Sequence, residues 1–118
     1  MLPYKRSKRV GDLLREVIAD IIMKRLKDPR LGFLTVTGVD VKDDLKTASV
    51  YVSILREEDR AITLEILNAA QGFIRQEVAK EVKIKFIPQF HFVLDTSIEY
   101  GARIDSLLRE IKKKEEDK

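Results

Sequence analysis

One histidine, no cysteine and acidic clusters at 43–44 and 57–59 are the groups that acid–base or metal chemistry would draw on before the charged C-terminal end. His91 stands between Phe90 and Phe92, with no second ligand or nucleophile spaced to work with it. A lone imidazole makes no catalytic set, so it reads as a strand residue. Asp43-Asp44 and Glu57-Glu58-Asp59 are runs of carboxylates. Carboxylates hold Mg²⁺ only where several converge, and in polar turns such acids more commonly cap their own backbone. The chain has no Walker loop, dinucleotide fingerprint or Ser/His/Asp arrangement. These observations predict a protein that is not an enzyme, with no metal, no cofactor and no small-molecule substrate.

The basic residues carry more information. Residues 1–30 hold nine Lys and Arg against four Asp and Glu, a local charge of +5, whereas residues 31–82 sum to −3 and residues 83–118 to +1. Lys5, Arg6, Lys8 and Arg9 crowd the amino-terminal end, and Arg30 lies at the far side of the first apolar-periodic run. Arg75, Lys80, Lys83 and Lys85 form a second group. A basic end on a chain of net charge +3 suits a polyanion, and these nine side chains are the predicted RNA contacts. Tyr4 and Tyr51 are candidates for stacking on a base.

At 118 residues the chain makes one domain with a single core, predicted over 1–111, followed by a charged tail over 112–118. No apolar run is long enough to span a bilayer, and no apolar signal-type segment follows the basic start. The expected location is therefore cytoplasmic, without a membrane partner.

Helices and strands must position these residues. Val10, Leu13, Leu14, Val17, Ile18, Ile21 and Ile22 recur at helical spacing, with Ser7 as a cap and Asp28-Pro29 as the stop. Two β-rich runs follow, Phe33 to Val41 and Thr47 to Leu55, around a polar turn. In the second run Ala48, Val50, Val52 and Ile54 alternate with polar residues, the period of a strand buried on one side. A long helical run from about Asp59 to Glu81 contains Gly72, which costs about 1 kcal/mol relative to alanine and predicts a kink or a close approach. A third strand is expected over Lys83 to Asp95, with Pro88 at an edge or bulge. A short helix opens at Ser97, with Asp95 and Glu99 near its start and Ile104, Leu107, Leu108 and Ile111 inward.

This order, α-β-β-(kinked α-α)-β plus a short C-terminal helix, resembles the KH fold of type II, an α+β domain with a three-stranded sheet and helices on one face. The usual KH module grips nucleotides with a G-x-x-G loop between its helices. Here Ala70-Gln71-Gly72 stands in that place as an interhelical bend. With Arg9-Val10, Asp28-Pro29-Arg30, Asp44-Leu45, Arg75, Pro88, Phe92, Asp95 and Leu107-Leu108, it resembles the ribosome-binding factor A family over residues 5–109.

That resemblance implies a non-catalytic assembly factor that binds the free small ribosomal subunit. It implies help in late maturation of small-subunit rRNA near its 5′ end, most needed in the cold, by a protein acting as a monomer. Two alternatives stay open: a generic KH-like module for single-stranded RNA, and a protein-binding module that accepts a strand at a sheet edge. The absent G-x-x-G weighs against the first, the basic start against the second. If Gly72 forms a functional bend, Gly72→Ala should lower stability or impair binding.

Overall fold

The computed structural model describes residues 6–97 together with 109 and 111. Its elements run α1 (Arg6–Lys24), β1 (Leu34–Val41), β2 (Thr47–Ile54), a 3-10 turn (Glu57–Asp59), α2 (Arg60–Ala69), α3 (Gln71–Glu81) and β3 (Gln89–Leu94). The sheet order is β1-β2-β3, with β1 antiparallel and β3 parallel to the central β2. This is the mixed three-stranded sheet expected of a KH-like α+β domain. The expected C-terminal helix and the 112–118 tail lie outside the described residues, apart from Arg109 and an exposed Ile111, both helical.

The hairpin forms where the sequence alternates. Ala48, Val50, Val52 and Ile54 are buried and their intervening neighbours are not. Val36 and Val41 of β1 and Phe90 and Phe92 of β3 join the same face. Leu14, Ile18, Ile21 and Ile22 of α1, with Leu67, Ile74 and Val78 of α2 and α3, close the core over it. Burying such side chains contributes about 1.5–3 kcal/mol each, so the helix layer and the sheet hold each other. A bulge between Val36 and Gly38 leaves Thr37 extra on β1. Its hydroxyl donates to Asp95 Oδ2 at 2.5 Å, tying β1 to the end of β3.

Several local details differ from the sequence expectations. Ser7 lies inside α1 rather than capping it, and its hydroxyl reaches Asp43 Oδ1 at 3.4 Å. Helix α1 ends at Lys24, short of Asp28-Pro29. β3 begins only at Gln89, because buried Pro88 has no N–H to give the ladder. Phe73, which belongs to the apolar stripe that the sequence gives the long helical run, is 39% exposed.

The long helix is interrupted at Ala70, whose φ of −88° and ψ of 4° lie outside the helical values. Gly72 sits two residues later in the first turn of α3. It has no positive φ, and a Cβ built on it would meet nothing within 4 Å. Gly72 is therefore neither the bend nor a point of close packing, and its expected need for glycine is corrected. The glycine that does bring two backbones together is Gly11 of α1, buried against the Val39 carbonyl of β1.

Candidate nucleic-acid interface

The start of α1, the β1–β2 turn and the entry to β3 meet at one end of the sheet. Ser7 touches Asp43 in the turn, and Gln89 N–H donates to the Lys46 carbonyl at 2.9 Å. The turn is tight because Leu45 takes a left-handed φ of 62°, with its N–H donating to the Lys42 carbonyl. Arg6 opens α1, and the exposed Lys8 and Arg9 follow in its first turn. Lys42 and Lys46 project from the adjoining turn, also exposed. The turn's own acids are occupied locally: Asp43 accepts from Ser7, and Asp44 Oδ1 accepts from Lys46 N–H at 2.9 Å. Lys42 and Lys46 are additions that sequence reasoning missed, since it read 42–46 only as turn chemistry. Lys5 and Tyr4 lie outside the described residues.

Lys83 and Lys85 are exposed on the segment 82–88 that leads into this end. Lys80, further back on α3, is drawn to Glu77 Oε2 at 3.3 Å. Arg75 is turned inward, where its Nε donates to the Pro88 carbonyl at 3.1 Å and Nη2 to the Ile87 carbonyl at 2.9 Å. Arg30 lies beyond the far end of α1 from Lys8 and Arg9, which is roughly 23 Å away along the helix at 1.5 Å per residue. It also forms a two-pronged pair with Asp28, at 3.1 Å from Nε and 2.9 Å from Nη2. Arg30's hydrogen bonds, from side chain and backbone, hold the Asp28 carboxyl below its usual range. So the nine predicted contacts do not form one cluster. Lys8 and Arg9 stand together at the start of α1, whereas Arg25, just past its far end, pairs with Glu81, two residues before Lys83, and Arg75 and Arg30 engage protein partners of their own.

The bend residues serve the sheet edge. Asn68 Nδ2 donates to the Phe92 carbonyl at 3.1 Å, and Phe92 N–H donates to Asn68 Oδ1 at 2.8 Å. Gln71 Oε1 accepts from Phe90 N–H at 3.3 Å. These two amides occupy polar groups that β3 turns away from β2, the positions a foreign strand would use. Ala70 between them lets both side chains point at one strand.

A different surface lies at the opposite end. A groove of about 1130 Å³ runs between the end of α1, the 28–32 loop and β1. Met23, Phe33 and Leu55 line it while 81%, 79% and 75% exposed. Among the described residues no group of three or more His, Cys, Asp or Glu could hold a metal ion, and no helix is long and apolar enough to cross a membrane. Tyr51 is half-buried and His91 exposed on the sheet face away from the helices.

The sequence matches the family model for ribosome-binding factor A over residues 6–108. The chain belongs to the ribosome-binding factor A family. It is 56% identical over 117 residues to the ribosome-binding factor A of Thermodesulfovibrio yellowstonii, covering 99% of both chains. The crystal structure of ribosome-binding factor A from Thermus thermophilus superposes with a TM-score of 0.67 at 31% identity, covering 75% of this chain and 94% of that one. A homology model of the Thermus thermophilus factor, fitted into a cryo-EM map of a 30S–RbfA complex, gives a TM-score of 0.64 at 30% identity. It covers 80% of this chain and 97% of that one. The family is one of ribosome-binding factors, and the α+β architecture of this member is that of its solved relatives.

Proposed function

We propose that this ribosome-binding factor A family member binds the free small ribosomal subunit through folded rRNA, without catalysis. The observation that carries the proposal is the gathering of Lys8, Arg9, Lys42 and Lys46 where α1 meets the β1–β2 turn. The similarity to a factor fitted into a 30S complex supports the partner. Lysine and arginine on a shaped surface hold phosphates without reading bases, which is how structured RNA is mostly recognised.

Binding of this kind favours one RNA conformation by differential contact energy, a population shift with no turnover. Within the reading, the factor acts in the cytoplasm as a monomer and without a cofactor. It assists late maturation of small-subunit rRNA near its 5′ end, with greatest demand in the cold.

Sucrose-gradient sedimentation tests the partner: the protein should travel with free small subunits and be absent from assembled ribosomes. The double variant Lys8→Glu, Arg9→Glu should weaken that association with the fold intact. It should also flatten the dependence of log K on log salt by about one unit per lost phosphate contact. An unchanged slope would remove this end of α1 from the interface.

The groove favours a second reading, in which part of the contact is to protein. Leu34 and Val36, whose backbone polar groups face away from β2, line it beside the exposed Phe33 and Leu55. Phe33→Ser with Leu55→Ser would then lower affinity for the subunit without changing the salt slope. Unaltered affinity in that variant rejects the second reading.

A further inference from the structure

We propose that Phe86 is a base-stacking residue, presented beside Lys85 to an unpaired nucleobase of the bound RNA. The inference rests on the RNA-binding reading above and names a ligand class for one part of it. Phe86 is 70% exposed on the segment that joins α3 to β3. An isolated exposed apolar side chain is ordinary and by itself says nothing. What distinguishes Phe86 is how its surroundings are built.

The segment is fixed on both sides of the ring. Val82 is buried and its N–H donates to the Val78 carbonyl at 3.0 Å. Ile84 and Ile87 pack against the core, and Pro88 is fully buried. Arg75 then clamps the Ile87 and Pro88 carbonyls with two guanidinium hydrogen bonds. With Ile84 and Ile87 already inward, the backbone between them must hold Lys85 and Phe86 outward. The ring cannot turn into the core without undoing the clamp. Arg75 is accordingly a positioning residue.

The chemistry around the ring suits a nucleotide. Lys85 Nζ lies 5.5 Å from the ring centroid, a cation on an aromatic face. Lys83 is exposed two residues before Lys85. An aromatic face beside ammonium groups is the arrangement that holds single-stranded nucleic acid, base on ring and phosphate on charge. The flanking lysines disfavour burial of this ring in an apolar protein pocket, because their charges would be desolvated with it. Paired bases present no free face along a duplex, so the ligand is an unpaired base in a loop, bulge or single strand.

The chain contains no tryptophan, so Phe86→Trp places a single reporter at the site. The probes are purified small subunits and protein-free small-subunit rRNA at low salt. Phe86→Trp keeps an aromatic face, and its fluorescence should be quenched by either probe. Phe86→Ala should bind about tenfold more weakly, with an unchanged melting temperature. Lys83→Glu with Lys85→Glu serves as the electrostatic control. Weakened binding in that control, together with a neutral Phe86→Ala and no quenching, overturns the stacking and leaves RNA binding standing. A control that binds normally removes the whole segment from the RNA interface. Quenching by subunits but not by rRNA assigns Phe86 to a protein contact, which also overturns the inference.

Discussion

Gly11 on α1 sits so close to the main-chain carbonyl of Val39 that a Cβ added there would lie 2.5 Å from the oxygen. The helix crosses the sheet edge at this point with backbone against backbone, and nothing larger than glycine's hydrogen fits between. The contact also covers part of β1's outer edge.

Two glycine substitutions should therefore differ in sign. Gly11→Ala gains up to about 1 kcal/mol of helix propensity. It must also push α1 off β1, an overpacking cost of typically about 1–3 kcal/mol, and the strand carbonyl cannot swing away as a side chain can. A net loss is expected. Gly72→Ala, in open space with ordinary helical backbone, should instead raise stability by up to about 1 kcal/mol. Urea denaturation of the two variants reads both signs, and a stabilised Gly11→Ala would refute the close approach.

Asn68 closes both polar groups of Phe92 with one amide. Asn68→Leu removes both hydrogen bonds and should lower stability by about 1–2 kcal/mol, solvent recovering part of the loss. It also exposes a strand edge. Analytical ultracentrifugation should detect concentration-dependent association absent in the wild type. A variant of full stability that stays monomeric would deny the amide this role.

Asp95 gives the fold an acid-sensitive joint. Hydrogen bonds from Thr37, then Ser97, hold its carboxyl below the ordinary value of 3.8. A carboxylate depressed in the folded state contributes stability that is present above its unfolded value. That contribution is lost as pH falls through the folded one. Asp95→Asn should thus melt below the wild type at pH 5–7, with the gap narrowing as pH drops beneath 3.8. Asp28, also depressed, titrates in the same acid range, so the double variant should have the flattest acid limb. A gap that stays constant with pH would show that the Thr37 contact does not depend on charge.

The hairpin and its inward face were legible because strand alternation needs no knowledge of the rest of the fold. Val50 and Val52 are buried wherever the helices lie, provided they lie on that side. The interhelical break was legible to within two residues, but the glycine drew attention from Ala70, where the backbone turns. Gly11 carried no signal in the sequence, since its reason for being small is a strand carbonyl contributed by distant sequence. Arg75 looked like a phosphate ligand for the same cause: the Ile87 and Pro88 carbonyls that engage it become neighbours only after folding. Lys42 and Lys46 were hidden in a turn whose acids drew the interpretation. Charge was readable as composition, whereas its convergence needed the third dimension.

The placement of β2 between an adjacent-in-sequence partner and a distant one bears on how the chain reaches this state. Pairing β1 with β2 closes a short turn, at small loss of chain entropy, whereas the parallel pairing with β3 waits for α2 and α3 to be ordered between them. The hairpin can assemble with α1 early, and β3 closes late. During that interval the central strand offers an open ladder to any other chain nearby. Asn68 and Gln71 reach β3 only once the crossover is packed, so the sheet is exposed to mispairing on one side until the last strand arrives.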